Sequence, residues 1–263
     1  MKLPRNFFRI QHTDPTLLPE IIDELIELGL GLELRDFMLP ALLDSPKNLA
    51  LWIEVYQNIS DGKLSFSIHG PAIDLNLGSV DAKIRQISVK RIIQAFKVVE
   101  ELAAEFLIIH TGYDHRFLSD RNRFKSWLER SVESYSWIFN NINTPEHLRA
   151  ICIENSPGES LSTFWVYLQA LKDRFAKIPI YACIDYDHLV AKEKRLICQC
   201  LENPMTTYLH LPWKKSSHTI CQNLPKHYLR SICFEGEIGN KARRKLMLII
   251  SSQAKHCLTQ SKE

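Results

Sequence analysis

Short β-branched or aromatic runs alternate along this chain with stretches whose apolar residues recur at helical spacing. Eight runs predict strands: Asn6–Gln11, Gly29–Leu34, Leu64–His69, Glu105–His110, Arg149–Glu154, Pro179–Asp185, Thr206–Leu211 and Ser231–Glu235. Between them, Leu17, Ile21, Ile22, Leu25 and Ile26 mark one amphipathic helix, and Ile92, Ile93, Phe96, Val99 and Leu102 mark another. Asp14-Pro15, Ser45-Pro46 and Asn143-Thr144-Pro145 are turn or helix-start signals. Strands alternating with helices imply a parallel sheet. Eight such units in 263 residues favour a closed (β/α)8 TIM barrel over an open doubly wound sheet. No G-x-G-x-x-G follows the first strand, which removes the main signal for a dinucleotide-binding sheet. No Pro-, Gly- or Ser-rich linker divides the chain, so residues 1–253 read as one domain and 254–263 as a polar tail.

The polar positions form a second pattern. Glu33, His69, His110, Glu154, Asp185, His210 and Glu235 stand at or next to the last position of seven of the eight strands. A buried barrel strand should read as a hydrophobic run, because an unpaired polar or charged group inside costs several kcal/mol. Ionisable groups repeated at one end, strand after strand, are aimed at one place, the C-terminal mouth where (β/α)8 enzymes carry their active sites. Neighbouring carboxylates raise one another's pKa unless cations compensate, and nothing basic recurs at these strand ends. A divalent metal is the usual compensation for Glu, Asp and neutral His, and the mixed N/O donors suit Zn²⁺, Mn²⁺ or Co²⁺ better than Ca²⁺.

Composition narrows the classes. Apolar residues make up 45% and charged residues 24%, which excludes disordered and fibrous chains. No run approaches the roughly 18 to 20 apolar residues of a membrane helix, and MKLPRNFFRIQ lacks a signal peptide's apolar core. Seven cysteines with no repeated C-x-x-C fit buried, reduced thiols in a cytoplasmic protein. A net charge of +3 argues neither for nor against nucleic acid.

Phe66-Ser67-Ile68-His69-Gly70-Pro71, Ile108-Ile109-His110-Thr111-Gly112, Ile153-Glu154-Asn155-Ser156-Pro157-Gly158 and Cys183-Ile184-Asp185-Tyr186-Asp187-His188 resemble motifs of the xylose-isomerase-like barrel superfamily. That group holds sugar phosphate isomerases and epimerases together with apurinic-site nucleases of the endonuclease IV type (AP endonuclease family 2). The resemblance runs from about Glu33 to Glu235. In the isomerase branch it implies a metal held by Glu154, Asp185, His210 and Glu235, with Glu154 and Glu235 also passing a proton to and from a small sugar-like substrate. Candidate substrate contacts are Arg35, directly after the second strand and aimed at the same rim for an anionic group, Asn155, Trp213 for a sugar face and Lys214 for a phosphate.

The nuclease branch implies additional metal ligands at His69, His110, His188 and His218. This chain departs from that pattern at Ser216, where the family has Asp, and at Gly70-Pro71-Ala72, where it has a duplex-opening aromatic residue. The loop Leu211-Pro212-Trp213-Lys214-Lys215 also lacks the Asn or Asp usual in the isomerases. The expectation is therefore a divalent-metal-dependent isomerase or epimerase. An apurinic-site phosphodiesterase acting on nucleic acid comes second, and a binding barrel without catalysis third. Rim substitutions such as Asp185→Asn or His210→Ala are expected to lower metal affinity without unfolding the barrel.

Overall fold

A computed structural model of the chain describes residues 7–12, 15–114, 120–212, 214–222 and 229–235, without the side chains of 12, 15–17, 215, 216, 218 and 222. The domain end expected at 253 and the tail beyond it lie outside the described residues. Eight parallel strands close a barrel in chain order. They are β1 Phe8–His12, β2 Gly31–Leu34, β3 Phe66–His69, β4 Phe106–His110, β5 Ala150–Glu154, β6 Ile180–Asp185, β7 Thr206–Pro212 and β8 Ser231–Glu235. Helices follow the strands as the apolar spacing predicts. They include α1 Ile22–Leu28, α2 Pro40–Leu43, α3 Pro46–Ser60, α4 Ala82–Glu101, α5 Arg121–Asn140 and α6 Leu161–Arg174. The shorter α7 Ala191–Lys194, α8 Ile197–Glu202 and α9 Lys215–Gln222 complete the described set. The stretch ahead of α1 is a 3-10 turn, Pro15–Glu20, with Pro19 inside it.

Asp81, Asp120 and Ser160 cap α4, α5 and α6 by accepting backbone N–H groups two or three residues ahead. Each cap fixes where the rim loop ends and the return helix begins. No described helix is long and apolar enough to cross a membrane.

Two apolar layers hold the fold. The larger lies between sheet and helices, and the smaller fills the barrel with Phe106, Ile108, Ala150, Cys152, Cys183, Tyr208 and Cys233. The barrel floor is polar, which the hydrophobic-run rule did not anticipate. Arg9 is completely buried there, ion-paired with Glu105, donating to Ser231 Oγ at 3.0 Å and Ser65 Oγ at 2.8 Å, and lying 5.1 Å over the Phe106 ring. Gly31 makes room for it, since a Cβ at that position would stand 2.8 Å from Arg9 Nη1 and 3.0 Å from Ser65 O. Six described cysteines are free: Cys198 is exposed, and Cys152, Cys183, Cys200, Cys221 and Cys233 are buried.

Candidate metal centre

The register delivers the strand-end residues to one rim. His110 pairs with Glu154 between β4 and β5, Asp185 with His210 between β6 and β7, and Gln11 with Glu33 between β1 and β2. Glu154 is the hub. Its Oε2 lies 3.5 Å from His69 Nε2 and 3.3 Å from His110 Nε2. Its Oε1 lies 3.4 Å from His188 Nδ1 and 3.5 Å from His210 Nδ1. Glu235 Oε1 approaches the same His210 Nδ1 at 3.3 Å, and Asp185 Oδ2 lies 3.3 Å from His188 Nε2. Ligand atoms of Asp185, His210 and Glu235 fall within 4.8 Å of one another, as do those of His69, His110 and Glu154, and those of Glu154, Asp185 and His188.

Partners outside the centre decide which imidazole nitrogens are free. A backbone carbonyl can only accept, so His69 Nδ1 donates to Gly70 O at 3.1 Å and His188 Nδ1 donates to Asn155 O at 2.7 Å. His210 Nε2 donates to Glu33 Oε2 at 3.0 Å. In each ring the other nitrogen is turned toward the carboxylates of the cluster, and acceptors behind metal-binding histidines orient them in this way. His210 Nδ1 and Glu154 Oε2 are buried with no hydrogen-bond partner. Leaving such atoms unsatisfied costs about 1–3 kcal/mol each, and more for a charge. Asp185, His210 and Glu235 could thus offer a divalent ion one ligand atom each, and Glu154 faces the same His210 nitrogen.

The electrostatics agree. Burial, together with the charges of Glu154 and Glu235, pushes the Asp185 carboxyl up to about 6, a repulsion that a cation would relieve. Glu33 behaves oppositely: burial would raise it, but His210, His69 and the Tyr208 hydroxyl outweigh that and hold it at about 2. It is an anion paired to His210, with Tyr208 O–H donating at 2.8 Å and Gln11 Nε2 at 3.1 Å. Gln11 Nε2 also donates to Glu235 Oε1 at 2.6 Å, while Gln11 Oε1 accepts from Arg35 at 3.1 Å.

Glu33 and Gln11 thus join the site in roles the sequence reading did not assign. Glu33 was visible as a strand-end carboxylate, but its pairing with His210 crosses the barrel. Gln11 is the penultimate residue of β1. Glu33→Gln should lower Zn²⁺ affinity by about 10–100-fold through the loosened His210 ring. Competition with a chromophoric chelator measures this, and unchanged affinity would deny Glu33 that role.

The candidate substrate contacts divide. Arg35 is half-buried at the rim, held by Gln11 and by Met38 Sδ at 3.5 Å. Asn155 corrects its expected role: it is completely buried, accepting from Asp185 N–H at 2.7 Å and donating to Asp185 O at 3.3 Å, so it clamps the Asp185 backbone. Lys214 is exposed and ion-paired to Asp187 at 2.8 Å. Trp213 lies outside the described residues, and so do the side chains of Ser216 and His218, although their backbone forms α9.

Solved structures share this closed eight-stranded (β/α)8 barrel fold. Among solved structures it superposes on a D-tagatose 3-epimerase-like protein with TM-score 0.65 at 16% identity, over 95% of this chain and 99% of that one. It superposes on endonuclease IV from Thermus thermophilus with TM-score 0.64 at 15% identity, over 96% and 100%. The TTHB071 protein of the same organism, from a crystal soaked with ZnCl2, gives 0.61 at 17% identity, over 95% and 98%. An uncharacterised protein of Methanocaldococcus jannaschii, MJ1614, is 26% identical over 147 residues, 46% of this chain and 55% of that protein. The chain thus spans about half the length of that curated relative. No family model matches the sequence.

Proposed function

We propose that this protein is a divalent-metal-dependent isomerase or epimerase acting on a small sugar, keto polyol or sugar phosphate. The observation that carries the reading is the buried, unpartnered His210 Nδ1, facing Glu154 at 3.5 Å and Glu235 at 3.3 Å, with Asp185 in the same ligand cluster. Zn²⁺, Mn²⁺ or Co²⁺ bound to these four residues would polarise a substrate C–O bond and acidify the adjacent C–H. Glu154 and Glu235 supply the two carboxylates that take and return the proton. Burial would raise Glu154, but the surrounding imidazoles hold it well below the usual carboxylate range, so it is ionised. The Gln11 amide holds Glu235 at the rim, and Arg35 beside it offers a guanidinium to an anionic substrate group. Similarity to sugar epimerases supports the substrate class.

A second reading, a zinc-dependent apurinic-site phosphodiesterase, is favoured by Glu154 Oε2, which stands unpartnered between His69 and His110, so these three residues could hold an additional ion. His188 adds a donor to the same cluster. Against it stands Ser216, a neutral hydroxyl where a third ion needs an anion. Incubation of the Zn²⁺-loaded protein with a labelled abasic duplex should give little incision at physiological salt. Robust incision that disappears in Asp185→Asn would put the nuclease first.

A further inference from the structure

Behind the rim of β4 and β5 lies a carboxyl group that the metal centre does not use. Glu159 closes the loop from Glu154 to α6 and is completely buried. Its Oε2 accepts from the Thr111 hydroxyl at 2.6 Å and from Ser156 N–H at 3.0 Å, while Oε1 has no hydrogen-bond partner. Thr111 directly follows His110, and its oxygen also meets the Ser156 hydroxyl at 2.9 Å. Two left-handed glycines bring the loops together: Gly112, with φ 70°, follows Thr111, and Gly158, with φ 76°, precedes Glu159. A Cβ on Gly112 would stand 2.9 Å from Leu75 O, so that close approach requires glycine.

We propose that Glu159 is a positioning residue, a latch that ties the β5 loop to Thr111 and thereby holds the His110 imidazole against Glu154. The inference rests on the proposed metal site for one of its readouts only.

The surroundings of Glu159 favour the neutral acid. Burial pushes it up to about 7, against hydrogen bonds from Thr111 and Ser156 that favour the anion. The titratable groups near it are Tyr113, with Asp114 beside it, and Tyr167 on α6. Among the described residues, none of the groups acting on it is a cation. A carboxyl whose folded-state value is raised stabilises the fold fully below the ordinary carboxylate range. That contribution is lost as pH rises through about 7.

The test compares the natural protein with Glu159→Gln and Glu159→Ala. Glu159→Gln keeps the neutral shape and one acceptor, so Zn²⁺ affinity should stay within about twofold, whereas Glu159→Ala should lose about tenfold or more. The metal-free natural protein should also lose several degrees more of its thermal midpoint than Glu159→Gln between about pH 5.5 and about pH 8.5. Natural affinity in Glu159→Ala, or an equal pH slope in Glu159→Gln, overturns the latch. Should Glu159→Ala not fold, the isosteric Thr111→Val removes the donor from the other side and must show the same affinity loss. A natural protein that binds no Zn²⁺ overturns the metal reading, and the metal-free pH comparison still decides the latch.

Discussion

Exchanging Asp185 for Asn should weaken Zn²⁺ binding at least about a hundredfold, or about 2.7 kcal/mol, while leaving the barrel folded. The amide carries no charge for the ion, yet its Oδ1 can still accept the Asp187 and His188 N–H groups that Asp185 Oδ1 accepts at 2.6 and 3.2 Å. The loop should therefore keep its shape. The metal-free variant should melt no lower than the natural protein above about pH 6, because it removes the carboxylate that Glu154 and Glu235 repel.

His210→Ala should also abolish binding, but with a loss of stability that the sequence reading did not expect. His210 is completely buried and is the imidazole partner of Glu33. Its removal leaves that carboxylate buried without it, at about 3–5 kcal/mol. Asp185→Asn is therefore the clean variant, and full metal occupancy in it would remove the proposed site.

The second large effect concerns proton transfer. Glu235→Gln should reduce exchange at the substrate carbon by about a thousandfold or more while substrate still binds, because an amide can neither take nor return the proton. The new side chain can turn its oxygen toward Gln11 Nε2, so its place at the rim is retained. Glu154→Gln should be as inactive, but it also sets an NH₂ group among His69, His110, His188 and His210. Metal content must therefore be measured beside turnover in both variants. Natural exchange in Glu235→Gln would exclude it as an essential acid or base.

The barrel was legible because short apolar runs, most of them with a polar residue at or next to the end, alternate with stretches of helical spacing. The predicted Ser231–Glu235 matches β8, and the other strands differ by one or two residues at their ends. The rim cluster was legible for the same reason: in a parallel barrel every strand delivers its last residue to one mouth. What the sequence hides is contact across the barrel. Glu33 meets His210 from β2 to β7, and Gln11 links Glu33 to Glu235 through the closure of β1 on β8. Asn155 stands in the motif as a candidate substrate contact, but a side chain one position past a strand can turn back to clamp the next strand. The buried Arg9 and Glu105 pair of the floor gave no such signal, since one residue begins in an aromatic run and the other precedes a hydrophobic strand.

The most direct test of the proposed function is solvent deuterium incorporation, followed by NMR, into a panel of keto sugars and their phosphates. The protein would be assayed as purified, after chelation, and after reloading with Zn²⁺, Mn²⁺ or Co²⁺. Incorporation at one carbon next to a carbonyl, lost on chelation and restored by the ion, is the predicted result. A metal-loaded protein that exchanges no C–H across the panel, yet incises an abasic duplex, would contradict the isomerase account.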